Sequence, residues 1–292
     1  MPLADASKSH EINQEAQIHT QEIIVIEPAK AGKRYWRDLF RYRELFFFLA
    51  WRDVLVRYKQ TVIGFAWSLL RPLLTMLVFT LVFGKFANLP SEGIPYPVFV
   101  FAALLPWQFF SNALAESSMS LVTNANMISK VYFPRLVVPT SSVVVSFIDF
   151  LIALAFLVLL MFWYQIMPGR EVLLLPFFVI LAFCAAMGAG LWLSALTVKY
   201  RDFRYIVPFI VQFGLFVSPV GFSSTIVPER WRLLYSLNPM VGVIDGFRWT
   251  ILSGGSNIYV PGVLASLLTS TALLVSGLWY FRKTERSFAD VI

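Results

Sequence analysis

The sequence predicts an all-α integral membrane protein with six transmembrane helices, an N-terminal cytoplasmic interface helix, and short outer-face re-entrant helices between spans five and six. Three observations lead to this fold class. Apolar residues make up 58% of the 292 residues and charged residues only 14%, against about 25% charged in soluble domains. A globule this apolar would expose too much apolar surface to water, which excludes a soluble enzyme and a disordered chain. Basic residues also cluster between long apolar runs, as expected of loops beside membrane spans.

Residues 1–34 are predicted to form a flexible cytoplasmic leader. They carry five carboxylates and no apolar stretch long enough for the core of a signal peptide. Their composition is polar and low in aromatic residues, which is typical of segments that do not order themselves. The net charge of +7 would also fit a nucleic-acid partner, but the distribution of the basic residues between apolar runs argues against one.

Residues 35–61 are predicted to form an amphipathic interface helix region. Charged residues flank an apolar run at 45–51, and seven apolar residues are too few to cross a bilayer. Such a segment fits one or two helices lying in the cytoplasmic membrane interface. Trp36, Trp51 and Tyr58 would anchor them there, because aromatic rings with a polar atom favour the headgroup region.

Residues 62–292 are predicted to form the six-span domain, since a helix needs about 20 apolar residues to cross the hydrocarbon core. The fifth span is marginal because prolines stand near both its ends. An even number of spans puts both termini on one side, and that side holds 18 of the 24 Lys and Arg residues. The positive-inside rule makes it the cytoplasm. The six segments are 62–84, 96–115, 136–164, 172–198, 205–222 and 258–281.

Residues 223–257 fit neither a plain loop nor a plain span. Short apolar stretches alternate there with prolines and a glycine pair. Such pieces can enter the outer membrane face only if protein or a water-filled cavity satisfies their backbone groups. This makes them candidates for an outer gate, with Trp231, Tyr235, Asn238 and Pro239 as gate residues.

The sequence offers no catalytic, cofactor-binding or metal site. No Gly-x-x-x-x-Gly-Lys-Ser/Thr phosphate loop is present. The two histidines, His10 and His19, lie in the leader, and Cys184 is the only cysteine, so zinc clusters and intrachain disulfides are excluded. A transport subunit is therefore favoured over an enzyme.

Two ionisable residues lie within predicted spans, where a charge costs about 2.5–3.5 kcal/mol or more at mid-depth. Arg71 either faces a pathway or an anionic substrate, or its side chain snorkels to the inner interface. Asp149 either forms a structural hydrogen bond or ion pair, or has a role in transport. We also hypothesise that the two residues pair with each other inside the bundle.

Aromatic residues make up 16% of the chain. Most are expected to be interface anchors or core packing. Flat aromatic faces could also line a channel and stack on sugar rings without fixing a pattern of hydrogen bonds. With Arg71 and Asp149, the channel-lining candidates are Phe65, Trp67, Phe213, Phe216 and Phe222.

Several local strings are more informative than composition. They are Trp51-Arg52-Asp53, the run from Arg57 to Gly64 with Trp67 and Pro72-Leu73-Leu74, the run from Asn124 to Arg135, Tyr200-Arg201-Asp202-Phe203-Arg204, Leu237-Asn238-Pro239-Met240, and the tail from Glu285 to Ile292. In this order, over residues 35–292, they resemble the permease of bacterial polysaccharide and polyol-phosphate exporters of the ABC-2 type. Arg71 departs from the uncharged polar residue expected there, so no role is inherited at that position.

The resemblance implies a homodimer in the bacterial plasma membrane, with two copies of a separate ATPase that binds ATP and Mg²⁺ on the cytoplasmic face. It also implies that the interface helix contacts the ATPase and that the loop between spans two and three carries the coupling helix. That loop could instead be an ordinary positive-inside connector. The implied ATPase-coupling residues are Arg52, Asp53, Arg57, Asn124, Asn126, Lys130, Tyr132, Pro134 and Arg135.

The resulting expectation is the membrane subunit of an ATP-driven exporter for a lipid-linked polysaccharide, such as an O-antigen-like or capsule-like glycan or a teichoic acid. An ABC-2 exporter of another lipid or of drugs is one alternative. A membrane-embedded enzyme of glycan assembly is another, but its acidic candidates Glu116, Asp202 and Asp245 are scattered along the sequence. A secondary transporter would require inverted repeats, and no clear repeat is found.

Overall fold

The computed structural model describes residues 33–59, 64–252 and 258–288. Within these ranges the chain consists of helices, turns and connections, without a β-strand, which confirms the all-α class. The described residues divide into two compact units, with the boundary between residues 40 and 41. The described helices are α1 (Lys33–Arg41), α2 (Arg43–Lys59), α3 (Gly64–Phe79, continued by π-helical turns Thr80–Phe86), α4 (Tyr96–Thr123), α5 (Ala125–Lys130), α6 (Val137–Trp163), α7 (Leu175–Lys199), α8 (Phe203–Val217), α9 (Glu229–Tyr235), α10 (Pro239–Leu252) and α11 (Val260–Thr284).

Helix α4 is the central element of the second unit. It packs mainly against α6 and α7, and α7 in turn packs against α11. Small residues let α7 and α11 approach closely: a Cβ added to Gly188 would overlap the backbone of Leu273 and Leu274, and one added to Gly277 would overlap the carbonyl oxygen of Gly188. Close crossings at small residues are typical of membrane bundles, where dispersion rather than water drives helix association.

Five helices in the described part of the chain are long and apolar enough to cross a membrane. The fifth predicted span corresponds to α8, whose 15 residues extend only about 22 Å at 1.5 Å per residue. The hydrocarbon core is about 30 Å thick, so the count of six spans stays a prediction. The five long helical stretches are Leu69–Phe86, Tyr96–Thr123, Val137–Trp163, Arg170–Lys199 and Val260–Ser287.

The segment between α8 and α11 contains the two short helices α9 and α10, and their re-entrant position in the membrane stays a prediction. Helix α10 is largely buried against α4, α7 and α11. Protein therefore covers most of this short helix, as a re-entrant helix requires. The predicted leader up to residue 32 and residues 253–257 of the predicted gate lie outside the described residues.

Candidate functional site

One group of polar side chains joins α2 to the central bundle. The guanidinium of Arg57 donates from Nη2 to Glu116 on α4 and from Nη1 to Asp149 on α6. The hydroxyl of Tyr58 donates to the other carboxylate oxygen of Asp149, and Ser146 Oγ donates to Glu116 over 3.3 Å. We call these five residues the inner cluster. It ties α2 to two long helices of the bundle.

The inner cluster is only partly shielded from solvent. Its side chains are 29% (Arg57), 33% (Glu116) and 14% (Asp149) exposed. Burial acts to lower the pKa of Arg57, but the attraction of Glu116 and Asp149 outweighs it and raises the pKa above the ordinary value. Two carboxylates thus share one guanidinium, whose positive charge balances part of their negative charge.

The hypothesis that Arg71 pairs with Asp149 is wrong, because Asp149 pairs with Arg57 and Tyr58 instead. Arg71 is exposed on α3. Helix α2 was expected to lie in the membrane interface, yet its C-terminal half packs against α6 and brings its own arginine to the carboxylate. Of the two alternatives for Asp149, the structure therefore contains the ion pair.

A second polar link lies near the start of α5. Arg52 Nη2 donates to Asp53 over 2.7 Å and to the side-chain oxygen of Asn124 over 3.1 Å. Asn124 stands between α4 and α5, and its amide nitrogen donates to the Ser120 carbonyl over 2.8 Å. Arg52, Asp53 and Asn124 therefore connect α2 to the corner where α4 turns into α5.

The coupling candidates that follow Asn124 divide into exposed and internal residues. Asn126, Lys130 and Tyr132 are exposed, with Tyr132 at 71%. Pro134 is buried. Arg135 turns inward, where its backbone N–H donates to the Glu285 carboxylate over 2.8 Å and its guanidinium donates to the Glu285 carbonyl. We call the exposed residues Asn126, Ser129, Lys130, Val131 and Tyr132 the α5 surface.

Helix α2 also carries an exposed apolar face. Phe47, Phe48, Trp51 and Leu55 are 70%, 62%, 54% and 38% exposed. Contiguous exposed apolar side chains of this size mark a membrane or protein contact. Trp51 is therefore available as the predicted anchor, whereas Tyr58 belongs to the inner cluster and the side chain of Trp36 lies outside the described structure.

At the opposite end of α4, Arg248 of α10 holds an irregular backbone segment, residues 218–223. Its guanidinium donates to the carbonyls of Phe222 and Val220 over 2.8 Å each and to that of Phe99 over 3.3 Å. Its carbon Cζ lies 3.6 Å from the centre of the Phe99 ring. The Tyr96 hydroxyl donates to the Gly221 carbonyl. Buried backbone groups without a helix are thus satisfied by side chains, as a low-dielectric setting requires.

Acidic residues surround this clamp. Ser223 Oγ donates to Glu92 over 2.6 Å, and Ser224 hydrogen-bonds to Asp245. Burial raises the pKa of Asp245, against the opposing effects of Ser224 and Arg248. Burial also lowers the pKa of Arg248 to about 10, so its guanidinium remains charged at neutral pH. We call Arg248 with its three carbonyl partners and these acidic neighbours the outer clamp.

The predicted gate residues lie beside the outer clamp. The Tyr235 hydroxyl donates to the Val217 carbonyl over 2.8 Å, and the Asn238 amide nitrogen donates to Ser218 Oγ over 3.0 Å. Asn238 also accepts from the Met240 N–H over 3.0 Å and so caps α10, with Pro239 in the first helical position. Trp231 on α9 is half exposed. Tyr235 and Asn238 thus fasten the end of α8 to the short helices.

The channel candidates are distributed unevenly. Phe213 and Phe216 are exposed on α8, and the carbonyl of Phe222 belongs to the outer clamp. The side chains of Phe65 and Trp67 lie outside the described structure. Tyr205 and Phe209 join the exposed pair, because successive spacings of four, four and three residues put all four rings on one face of α8. The four rings, Tyr205, Phe209, Phe213 and Phe216, form what we call the aromatic stripe.

Ring contacts hold the side chains of the aromatic stripe in place, and one polar side chain lies beside them. Phe209 and Phe213 stack with centroids 5.9 Å apart, and Phe216 stacks on Phe79 of α3 at 6.5 Å. Gln212 lies on the same face and is exposed. Among the residues of α8 only Val207 is buried, so nearly the whole helix surface is uncovered within one chain.

Sequence reasoning missed the roles of Glu116, Arg248 and Glu285. Glu116 directly follows the predicted second span, and a carboxylate at such depth needs a partner, which was an available signal. Arg248 stands within an apolar stretch of the segment 223–257, which was also an available signal. Glu285 begins the tail string of the family resemblance, but nothing in that string indicated its partner. Among the described residues no group of three or more His, Cys, Asp or Glu side chains could hold a metal ion.

Comparisons with known proteins agree with this architecture. Residues 44–252 match the model of the ABC-2 type transporter family. The chain is 31% identical over 262 residues to the O-antigen export system permease protein RfbA of Myxococcus xanthus, covering 89% of this chain and 99% of that protein. It is 28% identical to the Klebsiella pneumoniae RfbA, covering 82% and 92%, and 22% identical to the Escherichia coli polysialic acid transport protein KpsM, covering 81% and 92%. With a family match over most of its length and five helices that could span a membrane, the chain is a multi-pass membrane protein of the ABC-2 type transporter family.

Proposed function

We propose that this chain is the membrane-spanning permease subunit of an ATP-driven exporter, which moves a lipid-linked polysaccharide from the cytoplasm across the bacterial plasma membrane. The similarity to O-antigen and polysialic acid export proteins supports a glycan as cargo. The chain performs no chemistry in this proposal. ATP and Mg²⁺ are bound by a separate ATPase, two copies of which dock on the cytoplasmic face.

The observation that carries this proposal is the aromatic stripe of α8. In lipid, an exposed phenyl ring has no cost, but an exposed amide does. Gln212 lies on the same uncovered face as the four rings, which supports a face that borders a water-filled conduit rather than lipid alone. Flat rings can stack on successive sugars of a long chain without holding any one of them, so a polymer can slide.

A homodimer supplies the other wall of this conduit. Helix α3 supports the idea: only 17% of its apolar window is buried within one chain, against 78% for α4. The exposed Arg71 lies on α3. Two copies that bring α3 and α8 together would cover these helices and let Arg71 face the conduit or its anionic cargo. In this arrangement α8 counts as the short fifth of six spans, and both termini are cytoplasmic.

The α5 surface and the apolar face of α2 are the docking sites for the ATPase. The α5 surface combines a cation, two amide or hydroxyl groups, and the exposed side chains of Val131 and Tyr132, the mixture found in specific interfaces. Closure of the ATPases around ATP would move α5 and α2. The Arg52–Asn124 link and the inner cluster would carry that displacement into α4 and α6.

The test is to purify the chain with and without the ATPase encoded beside it, and to measure co-elution and ATP hydrolysis. We expect stable co-elution, lost in a variant that combines Lys130→Ala with Tyr132→Ala. The matched control combines Arg170→Ala with Tyr164→Ala, which removes an exposed basic and an exposed tyrosine side chain at the other end of α6. A chain that never binds the ATPase would contradict the proposed function and favour the glycan-assembly enzyme.

The cargo is tested separately by export of lipid-linked glycan from cells. Replacing Phe209 and Phe213 by Ala should reduce export while leaving co-elution intact, because α8 packs mainly against α4 and α7 and not against the α5 surface. Replacing the exposed Leu268 and Val275 on α11 by Ala is the matched control. Unchanged export in the α8 variant would contradict the role of the aromatic stripe.

A further inference from the structure

The C-terminal string from Glu285 onward has no role in the function proposed above. In the structure its described part is a 3-10 turn, Glu285–Ser287, followed by Phe288. Phe288 is 1% exposed, and its ring meets that of Phe281 on α11 edge-on, with centroids 5.4 Å apart. A buried aromatic side chain fixes this turn to the end of the last long helix. The turn is therefore part of the packed bundle.

The turn contacts a part of the chain that lies 150 residues earlier. The Glu285 carboxylate accepts from the backbone N–H of Arg135 over 2.8 Å, and the Glu285 carbonyl accepts from the Arg135 guanidinium. Arg135 lies in the connection between α5 and α6, shortly after the α5 surface. Both hydrogen bonds run from Arg135 to Glu285, one from the backbone and one from the side chain of Arg135, and together they hold this connection in one position.

Helix α6 begins without a side-chain cap of its own. Its N-cap residue, Leu136, offers no side-chain hydrogen bond, and its first turn contains no acidic residue. The Glu285 carboxylate binds the N–H of Arg135, one residue before that N-cap. A carboxylate near a helix N-terminus interacts favourably with the helix dipole, so Glu285 supplies there a negative charge that the first turn lacks.

We propose that Glu285 is a positioning residue for ATPase coupling: the C-terminal turn holds the α5–α6 connection and so fixes the orientation of the α5 surface. This inference rests on the proposed function, because the α5 surface is the proposed docking site. The α5 surface is then held from two sides, by Arg52 at Asn124 and by Glu285 at Arg135. Motion of the ATPase is passed to α6 and α11 together rather than absorbed by a loose loop.

The first test measures, without any ATPase, whether the contact between Glu285 and Arg135 holds the α5–α6 connection. We call this contact the brace. A spin label is attached at Tyr132→Cys in a Cys184→Ser background, and a second, control label at Tyr164→Cys. In the full chain, Glu285→Ala should increase the mobility of the label at position 132 and leave the label at position 164 unchanged. Glu285→Gln keeps an oxygen acceptor and should give an intermediate mobility. Equal mobility at position 132 in all three chains would overturn the proposal.

The second test measures coupling with the ATPase encoded beside the chain. Glu285→Ala should weaken ATPase binding about fivefold, the effect of losing one hydrogen bond of ordinary strength, and reduce export by more than ATP hydrolysis. Arg286→Ala removes an exposed neighbouring charge and should change none of these quantities. Equal effects of the two variants would overturn the coupling role. If the unaltered chain fails to bind the ATPase, the proposed function fails, whereas the label mobility still decides whether the brace exists.

Discussion

Arg57 and Arg248 both bring a guanidinium into the bundle, near opposite ends of α4, but their partners differ in kind. Arg248 donates to three backbone carbonyls, two of them in the irregular segment 218–223. Arg57 donates to carboxylates on two separate helices. Backbone carbonyls in a dry, irregular segment have no alternative donor, so the outer clamp must stay closed. Charged side chains on separate helices can part and be solvated, so the inner cluster suits an element that moves.

The largest effect is expected from Arg248→Met, because this arginine holds the outer clamp together. The substitution leaves the carbonyls of Val220 and Phe222 without this donor and removes one of the two arginines that attract Asp245. A buried polar group left unsatisfied costs about 1–3 kcal/mol, and two carbonyls are affected, so we expect little monodisperse protein in detergent and a much lower thermal midpoint. Arg230→Met removes an exposed arginine and should stay within about 0.5 kcal/mol. A normal midpoint for the Arg248 variant would contradict the clamp.

A smaller loss is expected from Arg57→Ala, because the inner cluster is partly solvated. The two carboxylates then face each other without a cation, and we expect a cost of about 2 kcal/mol, below that of a fully buried pair. A triple variant, Arg57→Met with Glu116→Gln and Asp149→Asn, removes all three charges and should recover most of this loss. Thermal unfolding of the single and triple variants measures the difference. If the triple variant is no more stable than the single one, the cost does not arise from unpaired charge.

The pH dependence of stability tests the protonation of Asp245 in the outer clamp. Burial raises the pKa of Asp245 above its ordinary value of 3.8, and the repulsion of Glu92 raises it further. Ser224, Arg248 and Arg232 lower the pKa but do not cancel this effect. The folded chain therefore keeps this proton where the unfolded chain has lost it, and stability contributed by the group falls as pH rises above about 4. Asp245→Asn should flatten this part of the curve. A curve that keeps its slope in the variant would assign the titration to another group.

The smallest effect is a difference in salt sensitivity. The screening length falls from about 10 Å at 0.1 M salt to about 3 Å at 1 M, and screening reaches partly exposed charges more than buried ones. Raising the salt concentration over this range should shrink the destabilisation caused by Arg57→Ala by a few tenths of a kcal/mol. The destabilisation caused by the milder Arg248→Lys should not change. Equal salt responses would mean that the two arginines do not differ in solvation.

Long-range contacts account for most of what sequence reasoning missed. A helix was expected within residues 35–61, where the structure has α2. The role of Arg57 in ATPase coupling stays a prediction, whereas its contacts with Glu116 and Asp149 were not foreseen. The hypothesis that Arg71 pairs with Asp149 failed for the same reason. Helical periodicity tells which face of a helix carries a residue, but it does not tell which helix lies opposite. Tyr235 and Asn238 were selected as gate residues of the segment 223–257 and lie beside the outer clamp; their gating role stays a prediction.

The sequence alone determined that this protein lies in a lipid membrane, that it is all-α, and approximately where its long apolar helices lie. Through its local strings it also determined the ABC-2 family. These properties depend on runs of neighbouring residues, because the free energy of placing a helix in lipid is a sum over that helix. Only the tertiary structure decided which polar groups meet. Arg57 meets a carboxylate 92 residues away, Arg248 a carbonyl 149 residues away, and Arg135 a carboxylate 150 residues away. Such contacts depend on how packed helices cross, and a buried polar group takes whatever partner that packing brings within hydrogen-bond distance.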